Sequence, residues 1–434
     1  MATGTAFSRR AFISSESAAT ALGMLTLAGC ATTAPPGSAS STKGATRTKT
    51  INLYGNSLGE DAQKAAWQQA IDGWQNKTKD TVTPVIYPYD QAATQIVLLG
   101  NSGNLHGVAQ AGGWQSLVPM GILADLTDTA KGLGIPQGAL DAYTIKGKLY
   151  VVPLNAAGIG MVINGEMAKS VGLKSGLTTD QFATVLEKIK KQDSSIIPYA
   201  AVTKNPDLKD ADHWMWGFGS EIVTEKLKCT IGDKESVAAI TWYKGLQDQG
   251  LIKSNVARGD ARILFARGQT AAYDDAPLAS TFVKTNGAAQ SIIDNISAIS
   301  RPKHGSTPST NRTWGNGLFA TKGKGELTSR DLIRFFASNV DAATAFYEKS
   351  AVAPASATAA SKIPSLATDK FQTAFRTQVA EHSRGAVWDK IPVTAQVDTA
   401  ISAGVANIMA GQIDVQGGLN ILRKQVQDLL DTSS

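Results

Sequence analysis

The chain has 434 residues, a net charge of +6 and two cysteines, Cys30 and Cys229. Apolar residues make up 43% of it, the level of a soluble protein with sizeable cores, and from about Thr50 the length suffices for two domains. The charge is spread without basic blocks, which excludes nucleic acid as the expected partner and suits an anionic cell surface. The four histidines (His106, His213, His304, His382) form no cluster at metal spacing, so neither metal nor cofactor is expected.

Residues 1–29 read as an export leader. Paired arginines in "SRRAFI" precede an apolar run, "SAATALGMLTLAG", of signal-peptide length and too short to span a bilayer. The run ends in "LAGC", which resembles a lipoprotein cleavage box and makes Cys30 the expected lipidated first residue of the mature chain. An ordinary cleaved signal with an incidental cysteine is the alternative. With Cys30 lipidated, Cys229 has no intrachain partner. Residues 30–49, small, polar and rich in Pro, Gly and Ser, form the expected flexible tether. The protein is therefore expected outside the cytoplasm, held to the membrane by lipid alone.

From Ile51, "INLYGNSLGEDAQKAAWQQAI" reads strand, turn, helix, with Trp67, Ala70, Ile71 and Trp74 on one apolar face. The turn Gly55-Asn56-Ser57-Leu58-Gly59 has the G-x-S-x-G pattern of a hydrolase nucleophile elbow. "TVTPVIYP" is a second strand, a helix follows from about Gln91, and "GVAQA" is a short third strand. "YTIKGKLYVVP" reads as a hairpin and "AAGIGMVIN" as a further strand. Thr178 and Gln181 form a capping box for a helix that buries Phe182, Val185, Leu186 and Ile189. "SIIPYAAV" is a buried strand, "ESVAAITWYKGLQDQG" a helix, and "ARILFARGQTAAYDDAP" a helix followed by a strand. Past "SAISRP" the pattern restarts with strand "GLFAT" and helix "LTSRDLIRFFASN", and the chain ends in the helix "GGLNILRKQVQDLLD". Strands alternating with helices predict α/β architecture with a mostly parallel sheet, in two units.

Five segments in this order resemble one family. They are "KGKLYVVPLNAAGIGMVINGEMAKSVGL", "LTTDQF", "LFARGQTAAY", "GNGLFATKGKGELTSRDLIRFFAS" and "IMAGQIDVQGGLNILRKQVQDLL". Together they are similar to the extracellular solute-binding proteins of bacterial ABC importers, in the group that includes maltose- and oligosaccharide-binding proteins. The resemblance implies a two-lobed, type II periplasmic-binding-protein-like fold that closes on a solute held between the lobes. It implies a monomer whose partners are a carbohydrate solute and the importer's membrane subunits. Lobe 1 is expected to hold residues 50–154 and 303–350, and lobe 2 residues 155–302 and 351–434.

Ser57 sits after the first strand, whereas a nucleophile strand is preceded by several others, and no histidine stands in a marked loop for it. A lipid-anchored serine hydrolase is thus the alternative, and a binding turn without enzymatic activity the expectation. Ligand loops follow strand C-termini. That rule gives Tyr54, Asn56 and Ser57 after the first strand, Tyr89 and Asp90 after the second, and Trp114 after the third. It adds Asn155 at the first crossing between lobes, Trp214 and Trp216 in "HWMWGFG", Asp274 and Asp275 in "TAAYDD", and Trp314 and Asn316 in "RTWGNG". Trp114, Trp216 and Trp314 stand in Gly-rich turns, where a ring can stack on a sugar face, with Trp114 and Trp314 assigned to lobe 1 and Trp216 to lobe 2. Trp67, Trp74, Trp242 and Tyr243 read as core. "DDAPLAS" and "IPVTAQVD" lack the aromatics expected of a long-maltodextrin binder, which leaves a shorter carbohydrate or a non-sugar solute open.

Overall fold

The computed structural model describes residues 44–61 and 63–433. The leader, Cys30 and the tether up to residue 43 lie outside the described residues. The folded chain begins earlier than expected. Thr46 N–H donates to Gly323 O at 3.0 Å, Leu327 N–H to Thr46 O at 3.1 Å, and Thr48 N–H to Thr328 Oγ1 at 3.0 Å. Residues 46–48 are thus docked on lobe 1, and the expected tether boundary at 49 moves back.

Thirteen strands occur among the described residues: β1 (Thr50–Gly55), β2 (Thr81–Ile86), β3 (Val108–Gln110), β4 (Thr144–Ile145), β5 (Lys148–Leu149), β6 (Val152–Pro153), β7 (Ala157–Asn164), β8 (Ile197–Ala200), β9 (Thr270–Asp275), β10 (Ile296–Ile299), β11 (Asn311–Trp314), β12 (Gly317–Ala320) and β13 (Ser383–Arg384). One sheet has the order β2-β1-β3-β12-β6 and forms lobe 1. A second, β13-β11-β7-β9-β8 with β10 also on β7, forms lobe 2. The sheets are mixed rather than mostly parallel. β1 runs parallel to β2 and β3, and β8 to β9, but every strand that meets the crossing strands β7 and β12 within these sheets runs antiparallel to it. A chain that passes between two sheets and returns must run back through each.

Strand β11 pairs with β7, with Trp314 opposite Ala157. The second crossing therefore falls between Trp314 and Gly317, not before residue 303, and Trp314 belongs to the sheet of lobe 2.

Helix stripes cover the sheets. The helix Lys64–Thr78 buries Trp67 and Trp74 against Phe335, Phe336 and Phe346 on one face of lobe 1. In lobe 2 the capping box of Thr178 and Gln181 starts the helix Thr179–Gln192, whose Phe182 packs on Tyr199. The terminal helix Val415–Asp431 is capped by Asp414, which accepts from Gly417 N–H at 2.8 Å, and buries Leu419, Leu422, Val426 and Leu430 at helical spacing.

Candidate functional site

Three segments join the lobes. Residues 154–156 and 315–316 run side by side between the sheets. Leu154 N–H donates to Asn316 O at 2.8 Å, and Asn155 Oδ1 accepts from Asn316 N–H at 2.8 Å. Gly315 is required there, because a Cβ would lie 2.6 Å from Asn155 O. The third segment follows the helix Val340–Ser350, and Ala355 N–H bonds Leu154 O at 2.8 Å. The chain after it still packs on lobe 1, where Ser356 Oγ donates to Leu133 O, Ala357 N–H donates to Gly134 O at 2.9 Å, and Ala359 and Ile363 lie against Ala343 and Tyr347. Lobe 2 therefore does not resume at the expected residue 351. Asn155 and Asn316, expected as ligand groups, thus brace the crossing, while the Asn155 Nδ2 donor has no partner among the described residues.

A cavity of about 490 Å³ lies beside the crossing, on the flank of β9 and the third segment. Asn155 and Trp314 line it from the crossing, Pro277 from the end of β9, Ile363 from the chain after the third segment, and Phe375 and Arg376 from the helix Lys370–Gln378. Trp314 is half-buried, packed against Ile159, Ala276, Leu278 and Val352. Gln372 holds the wall together, its amide donating to Ala351 O at 3.0 Å. A narrower pocket that shares Asn155, Val352 and Pro354 reaches Asn316, Gln63 and Trp67 in lobe 1.

The turn after β1 is internal to lobe 1. Ser57 is 1% exposed. Its Oγ accepts from Trp67 Nε1 at 2.7 Å and from Gln110 Nε2, and its N–H donates to Gln110 Oε1 at 3.1 Å. A hydroxyl accepting two such bonds, with no imidazole among its partners, is not set up as a nucleophile. Asn56 bonds Glu60 Oε1 at 2.5 Å, and the buried Tyr54 hydroxyl accepts from Asn52 at 3.0 Å. Tyr89 opens the helix Tyr89–Asn101 and is 75% exposed. Asp90 follows in that helix, and its side chain lies outside the described residues.

Two of the three expected stacking rings, Trp114 and Trp216, are core instead, as is the other candidate tryptophan, Trp214. Trp114 begins the short helix Trp114–Leu117 and lies against Tyr143 and Tyr150. Trp214 and Trp216 stand on the helix Asp212–Phe218, of which every residue is buried. "HWMWGFG" reads as a turn for its glycines, yet it has enough apolar surface to form a helix that packs on all sides. Trp214 contacts Phe182, Tyr199 and Trp242, with the Arg301 guanidinium 4.9 Å from its ring. Trp216 lies between Trp388 and the Arg384 guanidinium, 4.4 Å from its ring.

Asp274 and Asp275 are also saturated. Asp274 accepts from Arg301 at 2.7 Å and from the Tyr199 hydroxyl. Asp275 receives a two-pronged bond from Arg262 at 2.7 and 2.8 Å. They belong to a buried charge network that sequence reasoning did not anticipate. Asp210 pairs with Arg258, and Arg312 binds Asp212 at 2.9 Å, Asp389 at 2.6 Å and Asp398 at 3.0 Å. Burial alone would raise the Asp210 carboxyl, but Arg258 and His213 hold it well below the usual carboxylate range. Burial pushes Asp212 up despite Arg312. The carboxylates of "DLKDADHW" are close in sequence, but Arg312, Asp389 and Asp398 come from distant segments, and no local spacing signals them. Burial also pushes the Cys229 thiol up to about 11, which leaves it unreactive.

On the opposite flank of the crossing, that of β3 and β13, the lobes touch directly. Gln115 Nε2 donates to Asp389 O at 2.7 Å and Ser116 Oγ to Pro392 O at 2.9 Å. Beside them Tyr143 is pushed up to about 12, by burial first and then by Asp389.

Solved structures share this architecture across nearly their whole length. The GacH receptor of Streptomyces glaucescens, solved unliganded and with acarbose, is 19% identical with a TM-score of 0.78 over 89% of this chain and 99% of its own. An ABC transporter solute-binding protein of Thermotoga lettingae bound with α-D-tagatose is 18% identical, with a TM-score of 0.77 over 88% and 100%. The maltose-bound MalE3 of T. maritima is 16% identical, with a TM-score of 0.76 over 88% and 99%. These likenesses establish the two-lobed fold. No curated protein sequence matches the chain significantly. The sequence profile of one family matches residues 58–383, three quarters of the chain, and spans both lobes and both strand crossings. The chain belongs to the bacterial extracellular solute-binding proteins.

Proposed function

We propose that this chain is the solute-binding component of an ABC importer and that its solute is a carbohydrate held in the cavity beside the crossing. The cavity carries the reading. Ala357, Ala360 and Ile363, on a stretch bonded to Leu133 O and Gly134 O of lobe 1, face Pro277, Phe375 and Arg376 of lobe 2 across it. One ligand in it thus meets both lobes and favours one arrangement of the hinge over others. Trp314 offers a ring face there, and Asn155 Nδ2 a free donor. Its size suits a small ligand. The fold neighbours whose solved complexes hold acarbose, tagatose and maltose support a sugar over an amino acid or polyamine. The membrane subunits of the importer would be the protein partner of a monomer.

A thermal-shift screen of the mature protein against sugars, glycosides, amino acids and polyamines tests this. A ligand at a hundred times its Kd stabilises by about 2.7 kcal/mol, a readily measured rise in Tm. A shift with amino acids or polyamines alone would remove the carbohydrate from the proposal.

The reading includes lipidation at Cys30, motivated by "LAGC" before the polar tether. Cells expressing the native chain should retain it in the membrane fraction and release Cys30→Ala. Equal partition of the two would end the anchor.

A further inference from the structure

We propose that the cavity takes a glycoside bearing an apolar aglycone, rather than a free oligosaccharide hydroxylated along its length. This rests on the carbohydrate reading above and specifies its ligand. The cavity wall holds one charged side chain, Arg376, and no carboxylate among the described residues. Its other polar side chains are Asn155, Ser361, Gln372 and Thr373. Three of these already hold the chain. Asn155 Oδ1 is taken by Asn316, Ser361 Oγ donates to Thr358 O at 3.0 Å, and the Gln372 amide donates to Ala351 O. A hydroxyl belt needs many partners on both sides, and a hydroxyl buried without one is penalised.

The polar and apolar features lie on different segments. Trp314 and the free Asn155 Nδ2 belong to the crossing and suit one sugar ring. Ala357, Ala360, Ile363 and Leu366, on the chain after the third segment, share the cavity wall with Phe375 from the last-named helix of that wall, Lys370–Gln378. This apolar side has no hydrogen-bonding side chain beyond Ser361, Gln372 and Thr373, and favours a phenyl or alkyl group. Arg376 is exposed at the cavity and forms no ion pair among the described residues, so it remains available to an acceptor on the ligand. The volume of about 490 Å³ falls at the lower end of small-ligand sites and accommodates one sugar with a ring-sized substituent more readily than a long oligosaccharide.

The test uses calorimetry on the mature protein with matched methyl and phenyl glycosides of glucose, galactose, mannose and xylose in both anomers, alongside maltotetraose and cellotetraose. For at least one sugar the phenyl glycoside should bind tenfold or more tighter than its methyl counterpart. Ala360→Gln, which puts an amide on the apolar side, should reduce that ratio to threefold or less. Leu366→Ser, half-buried on the same side, gives the same readout should the first variant not fold. Equal binding of methyl and phenyl glycosides, tighter binding of a tetraose than of every phenyl glycoside, or a ratio unchanged in the variants would overturn the inference and leave the carbohydrate reading standing. Absence of binding by every sugar and glycoside would overturn both.

Discussion

The indole N–H of Trp67 donates to Ser57 Oγ at 2.7 Å, and the side chain of Gln110 closes the same knot from β3. The G-x-S-x-G turn is therefore a fastener between β1, β3 and the helix Lys64–Thr78. Ser57→Ala would strand two buried donors. It should cost about 1–3 kcal/mol of stability in urea unfolding. No ester- or glycoside-hydrolysing activity should depend on it, and turnover abolished by this substitution would revive the hydrolase.

Trp314 and Trp214 should respond oppositely to truncation. Trp314→Ala removes a half-buried ring from the cavity and should weaken carbohydrate binding by about tenfold, roughly the 0.5–1.5 kcal/mol of a stacking contact, with little change in Tm. Trp214→Ala empties a packed core and should cost about 3–5 kcal/mol of stability. Calorimetry and unfolding on both variants separate the roles. A collapse of the fold in Trp314→Ala would return that ring to the core.

The difference between those residues explains what was legible in the sequence. Helix stripes such as Trp67–Trp74 and Phe182–Ile189 repeat at 3.6 residues, so their burial could be read directly, as could the Thr178 capping box. Strand-end position was a weaker guide. Asp274 and Asp275 do end β9, but whether a carboxylate there faces a ligand or an arginine depends on Arg301 and Arg262, which arrive from elsewhere in the chain. Glycines around Trp214 and Trp216 suggested a turn, whereas the local apolar content supports a buried helix. The crossing was misplaced because "NRTW" and "GLFA" are both short strands, and only pairing reveals that one joins β7 and the other β3. The cavity was the least legible, since its walls come from segments more than two hundred residues apart.

The Asp210–Arg258 pair sets an acid-side limit. In the fold the Asp210 carboxyl is held below its unfolded value, so its contribution is fully present above that value, near 3.9, and is lost as pH falls through the folded one. Asp212 has the opposite sign, being raised by burial, and is relieved by protonation. Comparing Asp210→Asn with the parent isolates the first term. The variant should lose on the order of 3 kcal/mol at pH 7, because Arg258 and His213 lose the buried carboxylate they share. The gap should narrow below about pH 4, as the unfolded parent chain takes up a proton that the folded carboxylate does not. Urea midpoints from pH 3 to 7 measure it, and a gap constant over that range would mean the pair contributes through packing alone.

The contact of Gln115 and Ser116 with the carbonyls of Asp389 and Pro392 should control how readily the lobes close. It lies on the β3 and β13 flank of the crossing, while the cavity lies on the β9 flank. Rotation about two strands in the middle that narrows one flank widens the other. Closure around a ligand in the cavity must therefore stretch the bonds on the far flank. Their acceptors are held firmly, since Asp389 is fixed by Arg312 at 2.6 Å and its carboxylate accepts from Ala386 N–H at 2.7 Å. Each bond contributes about 0.5–1.5 kcal/mol net to the state in which it forms. The double variant Gln115→Ala, Ser116→Ala should thus bind ligand tighter, by up to about tenfold, without altering any group that lines the cavity. Most of the gain should appear as slower ligand release. Calorimetric Kd and stopped-flow dissociation on parent and variant decide the matter. Weaker binding in the variant would assign these bonds to the closed state, and would place the hinge axis outside the two crossing strands.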